Sequence, residues 1–295
     1  MEATGCRIVT YGKADAEFSI YDVADIHFLN RSCHKAALSR DIEKIRKDPY
    51  SLWVQGGDYA DWIFPGDKRF DWEAIDGDIK VIEMSHFAAL VAKGIVSLFK
   101  PIAPKCLSFG MGNHDIKYLS KTSLMNVHEE ICAALGVVNM RYSGWFDIYF
   151  VHEPGVKGVT VQPTDTPPER FTARLRVFVH HGAGAANTAG GKINRLKSLV
   201  DMVDADLVMM GHVHEQMAKA FLRLTPNGDC SEIDQKVTMG LITGSYLRTY
   251  ASGFTGYGEI KAYAPTTIGA TRARYIPAER TLTVENRADN VGLKG

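Results

Sequence analysis

The sequence predicts an α/β fold, because short apolar runs alternate with stretches of helical period along its 295 residues. Several of those runs pass directly into glycine and then into Asp, Asn or His, as buried strands with polar tips would. No internal repeat, low-complexity tract or linker interrupts the pattern, so residues 1–295 are expected to form one domain, β-rich from about 215.

The run from Phe18 to Phe28 reads as a strand ending near Asp25. Helical spacing follows from His34 to about Lys47 and is stopped by Pro49, whose ring fits no helix interior. Ser51 to Gln55 is a short buried strand running into Gly56-Gly57-Asp58. A long helix is expected from about Ile79 to Phe99, closed by Pro101. Cys106 to Phe109 is strand-like and enters the turn GMGNHD. A helix from Ser123 to Leu135 ends at Gly136, which suits a left-handed cap. Strand signals then dominate from Val137 to His152. Glu153 to Arg170 holds four of the eleven prolines and reads as a surface loop, either a lid or a plain excursion. Arg174 to Gly182 is a buried strand ending in two histidines, and a helix follows from about Lys192 to Val203. Ala205 to His214 is another strand, and Pro226-Asn227-Gly228-Asp229 marks a hairpin turn beyond it.

Composition excludes several classes. Hydrophobic residues are 45% and charged ones 23%, which rules out a disordered chain, a collagen or a coiled coil. A chain near this length buries roughly 75% of its unfolded surface. The 34 basic and 34 acidic residues balance, so the whole molecule has no pull toward nucleic acid or anionic lipid. Five cysteines without a CxxC pair indicate neither a disulfide framework nor a thiolate zinc site. The first thirty residues carry charges at short intervals, and no run approaches the ~18 apolar residues of a membrane span. The expectation is a cytoplasmic location and no membrane partner.

The chemistry lies at the strand tips. Asp25-x-His27, Gly57-Asp58, Gly112-Asn113-His114-Asp115, His180-His181-Gly182 and Gly211-His212-x-His214 each follow an apolar run. Open α/β sheets gather their sites beyond the carboxyl ends of strands, so these tips are expected to converge. Mixed carboxylate, imidazole and amide ligands suit two divalent transition-metal ions, with Mn first and Fe, Zn, Ni or Co as alternatives. Two such ions at about 3.5–4 Å can clamp a phosphate and activate a water. Asp58, on a tight turn, is suited to bridge them.

The ordered set DxH, GD, GNHD, HxG and GHxH resembles the calcineurin-like metallophosphoesterases over residues 25 to 214. The resemblance implies a four-layer α-β-β-α sandwich of two mixed sheets flanked by helices. It implies that Asp25, His27 and His214 hold the first ion, Asn113, His180 and His212 the second, and Asp58 both. Either His180 or His181 could be the ligand, and His180 is preferred because family members commonly place it two residues before glycine. Asn113 and His114 would contact the phosphate, with His114 the general acid for the leaving oxygen. Hydroxide generated at the ions would attack phosphorus.

The segment GDYAD resembles the GDYVDRG motif of serine/threonine protein phosphatases, which implies that Asp61 pairs with His114 and raises its pKa. That motif continues with a phosphate-clamping arginine, where this chain has Trp62. The absent clamp on a dianionic monoester favours a phosphodiester of nucleotide or nucleic-acid type. A nuclease like the repair enzymes of the superfamily, a phosphomonoesterase and a non-catalytic scaffold are the competing readings. Zero net charge weighs against the nuclease, and the full ligand set against the scaffold.

Other residues have plainer expectations. Asp115 either orients a ligand or caps a turn, while Cys33 and His34 either line the pocket or, as preferred, start a helix. His86, His128 and His152 read as surface or satisfied core residues. The aromatics Trp62, Phe64, Phe70 and Trp72 either pack on the domain or stack on a base. Arg141, Lys192, Arg195 and Arg248 are candidates to touch a phosphate, and Gly244 to Tyr250 to shape the pocket or a dimer surface.

Overall fold

The computed structural model describes residues 2–62, 72–77, 86–122, 124–184, 186–251, 253 and 255–285. Two mixed sheets stack face to face. The first contains β1 (Glu2–Tyr11), β6 (Ser143–His152), β7 (Val159–Thr164), β8 (Ala173–His180), β9 (Leu207–Met210), β10 (Met217–Pro226) and β11 (Ile233–Ile242), in the order β10-β11-β9-β8-β6-β1-β7. The second contains β2 (Phe18–Val23), β3 (Ser51–Gln55), β4 (Cys106–Gly110), β5 (Asn139–Arg141), β12 (Thr271–Ile276) and β13 (Thr281–Glu285), in the order β13-β12-β2-β3-β4-β5. The helices are α1 (Lys35–Lys47), α2 (Phe87–Phe99), α3 (Asn113–Lys121), α4 (Asn126–Leu135), α5 (Ala189–Met202) and the short α6 (Tyr257–Ile260).

Alternation along the strands builds four layers. Phe18 and Ile20 of β2 face inward and meet Phe146, Phe150, Val177 and Val179 of the opposite sheet. Tyr21 and Val23, the alternate residues, point the other way and pack with α1, α2 and α4 through Leu38, Ile42, Val91, Ile95 and Ile131. Outside the first sheet, Phe178, Val208 and Met210 pack on Leu196 and Val200 of α5. The result is the expected α-β-β-α sandwich. Trp53 illustrates the packing: it stacks on Phe99 with ring centroids 4.8 Å apart and donates Nε1–H to the Ile102 carbonyl at 2.7 Å. Fully burying a side chain of this size contributes on the order of 2–3 kcal/mol.

Several elements match their expected bounds. β3 spans Ser51–Gln55, and α4 ends at Gly136 with φ 66°. His34 caps α1, its Nδ1 accepting from Ala37 N at 3.3 Å. His128 is buried with Nε2 2.9 Å from Asn139 Oδ1, and His152 Nε2 lies 3.1 Å from the Gly12 carbonyl.

Three elements differ from expectation. β1 is a full strand, although Glu2 and Arg7 hide its apolar residues from a sequence pattern. The Arg7 guanidinium is fully buried because its Nη1 donates to the carbonyls of Thr4 and Cys6, and its Nε to that of Leu107. The expected loop from Glu153 to Arg170 contains β7, which pairs antiparallel with β1. As an edge strand, β7 accommodates Pro163. α3 opens within the stretch expected to be only a glycine-rich turn. Of the expected helix from Ile79, residues 87–99 form α2, and 79–85 lie outside the described residues. Among the described residues no helix is long and apolar enough to cross a membrane.

Candidate metal centre

In the second sheet β2, β3 and β4 are parallel neighbours, as are β8 and β9 in the first. All five therefore present their carboxyl ends at one edge of the sandwich. Asp25 and His27 follow β2, Asp58 and Asp61 follow β3, and Asn113 and His114 open α3 just after β4. His181 follows β8, while His212 and His214 follow β9.

Three clusters of ligand-type side chains result, one of them His27, Asp61 and His114. Ligand atoms of Asp25, His27 and His214 lie within 4.8 Å of one another, as do those of Asp58, His181 and His212. In the Asp25 cluster, His214 Nε2 is 3.1 Å from Asp25 Oδ1. In the Asp58 cluster, His181 Nε2 is 3.2 Å from Asp58 Oδ2 and 3.1 Å from Asn113 Oδ1. These two clusters are tied together, because Asp25 Oδ2 accepts from His212 N at 2.8 Å. Asp58 Oδ1 accepts from His114 N at 2.8 Å, in the first turn of α3, where the helix dipole favours an anion.

The local backbone is strained to reach this arrangement. Asp25, His27, Asp58, His212 and His214 all hold left-handed φ angles, between 49° and 72°. For residues other than glycine such angles cost on the order of 1–3 kcal/mol each, and they cluster at functional sites. Two glycines make room. A Cβ on Gly112 would lie 2.0 Å from Asp58 Oδ1, and one on Gly57, at φ 108°, would lie 2.4 Å from His181 Nδ1.

The donor set fits divalent cations. His181 donates Nδ1–H to the Gly56 carbonyl at 3.0 Å, so in the neutral ring Nε2 offers a lone pair toward the two oxygens beside it. Three electron-rich atoms converge there, an arrangement that calls for positive charge. Burial alone would push the His181 ring down, but the Asp58 and Asp25 carboxylates reverse this and raise it to about 10. The same fields, with His181 and His114 acting on Asp58, override burial and hold that carboxyl well below the usual range. His27 is buried, and among the described residues neither of its ring nitrogens has a hydrogen-bond partner. An unpaired buried polar group costs about 1–3 kcal/mol, which ligation of a cation removes.

His114 stands at the edge of the Asp25 and Asp58 clusters. Its Nδ1 is 3.1 Å from Asp61 Oδ1, the pairing expected from GDYAD, and its ring meets that of His27 edge-on at 4.7 Å. Burial would raise the Asp61 carboxyl, yet the hydrogen bond with His114 and the charge of the nearby His27 and His114 rings hold it well below the carboxylate range.

His180, the preferred ligand of the pair, is not among the side chains grouped with Asp58 and His212, whereas His181 is. His180 is the last residue of β8, and alternation puts it on the same face as Phe178, toward α5, with ring centroids 6.2 Å apart. Its Nδ1 accepts from Gly182 N at 2.8 Å. His181, one residue on and fully buried, is the histidine that reaches Asp58 and Asn113. Asp115 caps α3 by accepting from Gly112 N at 2.7 Å, and it also accepts from Trp62 Nε1 at 2.7 Å. Trp62 is thereby buried, stacked on Tyr118 at 4.7 Å, so it packs rather than stacking on a base. Phe64 and Phe70 lie outside the described residues, as does the side chain of Trp72.

Of the candidate cations, Lys192 pairs with Glu215 at 2.7 Å, Arg141 with Glu2 at 3.4 Å, and Arg248 donates to the Ser32 carbonyl at 3.3 Å. The Arg195 guanidinium lies beside Gly184, whose carbonyl accepts from His212 Nε2 at 3.2 Å. The stretch from Gly244 to Tyr250 shapes the site, since Ser245 Oγ and Tyr246 N both donate to the Asp25 carbonyl at 2.9 Å.

Sequence reasoning missed Asn30, Gln55 and Asp22. Asn30 Nδ2 donates to Asp61 Oδ2 at 2.5 Å, and Gln55 pins Gly57 through both its amide atoms. Asp22, fully buried and with no hydrogen bond to its carboxyl among the described residues, is pushed up to about 8 by burial and by Asp25. Its charge in a short strand with Phe18, Ile20 and Val23 was the available signal.

A family model described as calcineurin-like phosphoesterase matches residues 18–216. No curated protein matches the chain. Among solved structures, a predicted phosphoesterase from Streptococcus pneumoniae is similar at 9% identity and a TM-score of 0.33, covering 92% of this chain and 99% of that one. A Vps29 double mutant from Entamoeba histolytica is similar at 10% identity and a TM-score of 0.35, covering 91% of this chain and 97% of that one.

Proposed function

We propose that this chain, which belongs to the calcineurin-like phosphoesterases, hydrolyses a phosphodiester of nucleotide type with two divalent ions. Asp25, His27 and His214 would hold one ion and Asn113, His181 and His212 the other, with Asp58 placed to serve both. The observation that carries this reading is the convergence of His181 Nε2, Asp58 Oδ2 and Asn113 Oδ1 beside the Asp25 cluster. Such ions, Mn²⁺ first among them, supply Lewis acidity that lowers the pKa of a water toward about 7 and neutralises phosphate charge.

The protein's own groups do the rest. His114 faces Asp61 through Nδ1, and its Nε2 would carry the proton to the leaving oxygen. Asp61, held as an anion, stabilises the charged ring that this donation requires. Asn113 and His114 contact the phosphate at the mouth of α3, whose dipole favours a negative ligand. Preference for a diester is supported by Trp62, which is buried where the protein phosphatases carry their clamping arginine.

The test is turnover of chromogenic phosphomonoesters and phosphodiesters with Mn²⁺, beside labelled single- and double-stranded DNA. Diester hydrolysis exceeding monoester hydrolysis at least tenfold supports the reading. Faster monoester turnover overturns the diester preference, and turnover confined to DNA favours the nuclease.

A further inference from the structure

We propose that Asn30 is a positioning residue that holds the Asp61–His114 pair in its proton-donating geometry. The inference rests on the hydrolytic reading above for its kinetic consequence and on geometry alone for its structural one.

Asn30 is anchored on both sides. Its Oδ1 accepts from Ser32 N at 2.8 Å, which fixes the amide so that Nδ2 faces Asp61. Nδ2 donates to Asp61 Oδ2 at 2.5 Å, a contact to a charged acceptor and hence among the stronger kinds. The backbone is tied as well. Asn30 N donates to the His27 carbonyl at 3.0 Å, and Asp61 N donates to the Phe28 carbonyl at 2.9 Å. Donor and acceptor thus sit on two segments bonded to each other, and neither needs to search for its partner.

The consequence falls on Asp61. With Oδ2 engaged by Asn30, the carboxylate presents Oδ1 to His114 Nδ1 at 3.1 Å, and that same oxygen lies 3.8 Å from His27 Nδ1. A carboxylate between two histidines can rotate toward either. Asn30 removes that freedom and keeps Oδ1 in the position where it orients the His114 ring. Donation by an amide also adds no charge beside the Asp61 carboxylate. A second carboxylate at position 30 would repel it.

Two measurements test the proposal. In the first, ring resonances of His114 are followed by NMR in the full-length chain. Asn30→Ala and Asn30→Asp should move them while leaving those of His152, at the far end of β6 from the site, in place, and unmoved His114 resonances would overturn the proposal whether or not the protein turns over any ester. In the second, kcat is measured across aryl phosphodiesters from nitrophenyl to unsubstituted phenyl. A general acid matters most for poor leaving groups, so Asn30→Ala should lose about tenfold or more on the phenyl ester and under about threefold on the nitrophenyl ester. KM and metal content should stay unchanged. The isosteric Asn30→Asp should lose at least as much as Asn30→Ala. A uniform loss across leaving groups, or wild-type behaviour of Asn30→Asp, would contradict positioning by donation. Failure of the wild-type protein to hydrolyse any diester would instead count against the hydrolytic reading, with the NMR result still deciding the role of Asn30.

Discussion

His181 Nε2 lies 3.2 Å from Asp58 Oδ2, a contact that joins the loop after β8 in one sheet to the loop after β3 in the other. Its two partners are held independently, His181 by the Gly56 carbonyl and Asp58 by His114 N. The two sheets therefore meet at the site through groups already oriented.

That relationship predicts a sharp difference between adjacent histidines. His181→Ala should reduce bound metal and lower activity by about 10²-fold or more, whereas His180→Ala should retain full metal content. Metal analysis of the two variants side by side checks this. Equal loss in both, or loss confined to His180→Ala, would contradict the assignment.

Gly112→Ala should disable the site by crowding. The added methyl would sit 2.0 Å from Asp58 Oδ1 and 2.4 Å from Asp58 N. Overpacking of this kind costs roughly 1–3 kcal/mol, and here the displaced group is Asp58 itself. Gly190→Ala is the control, because among the described residues nothing lies within 4 Å of its Cβ position on α5. It should leave activity intact and stabilise by up to about 1 kcal/mol. Thermal melts with activity assays distinguish the two.

Acid should destabilise the fold through His128. Burial pushes this histidine down to about 4, opposed by its hydrogen bond to Asn139. An unfolded histidine titrates near 6.5, so between about pH 6.5 and 4 unfolding takes up a proton. Stability is fully present above pH 6.5 and declines as pH falls, by about 3 kcal/mol at pH 4. Denaturant titrations from pH 7 to 4.5 should show this slope, and His128→Gln should flatten it. An unchanged slope in the variant would assign the acid sensitivity elsewhere.

Much of this arrangement was legible in the chain. Asp25, His27, Asp58, Asn113, His212 and His214 could be gathered from sequence because each follows an apolar run, and parallel neighbouring strands bring such tips together. The choice between His180 and His181 was not legible, since it turns on which residue is last to keep the alternation of β8. α3 was hidden because its first turn supplies site residues, with polar Asn113, His114 and Asp115 standing where an apolar pattern would mark a helix. β1 was hidden by Arg7, whose burial is explained by carbonyls from elsewhere in the fold, among them Leu107. Asn30 was missed for the same reason, as its partner Asp61 is distant in sequence.

The central claim is that two cations share this cage, and metal content tests it most directly. Protein purified without chelator, reconstituted with Mn²⁺ and freed of excess should retain about two ions per chain. Asp58→Asn should drop to about one or fewer and lose phosphodiester hydrolysis. A wild-type chain that retains no metal, or an Asp58→Asn variant with full occupancy and full activity, would contradict the account.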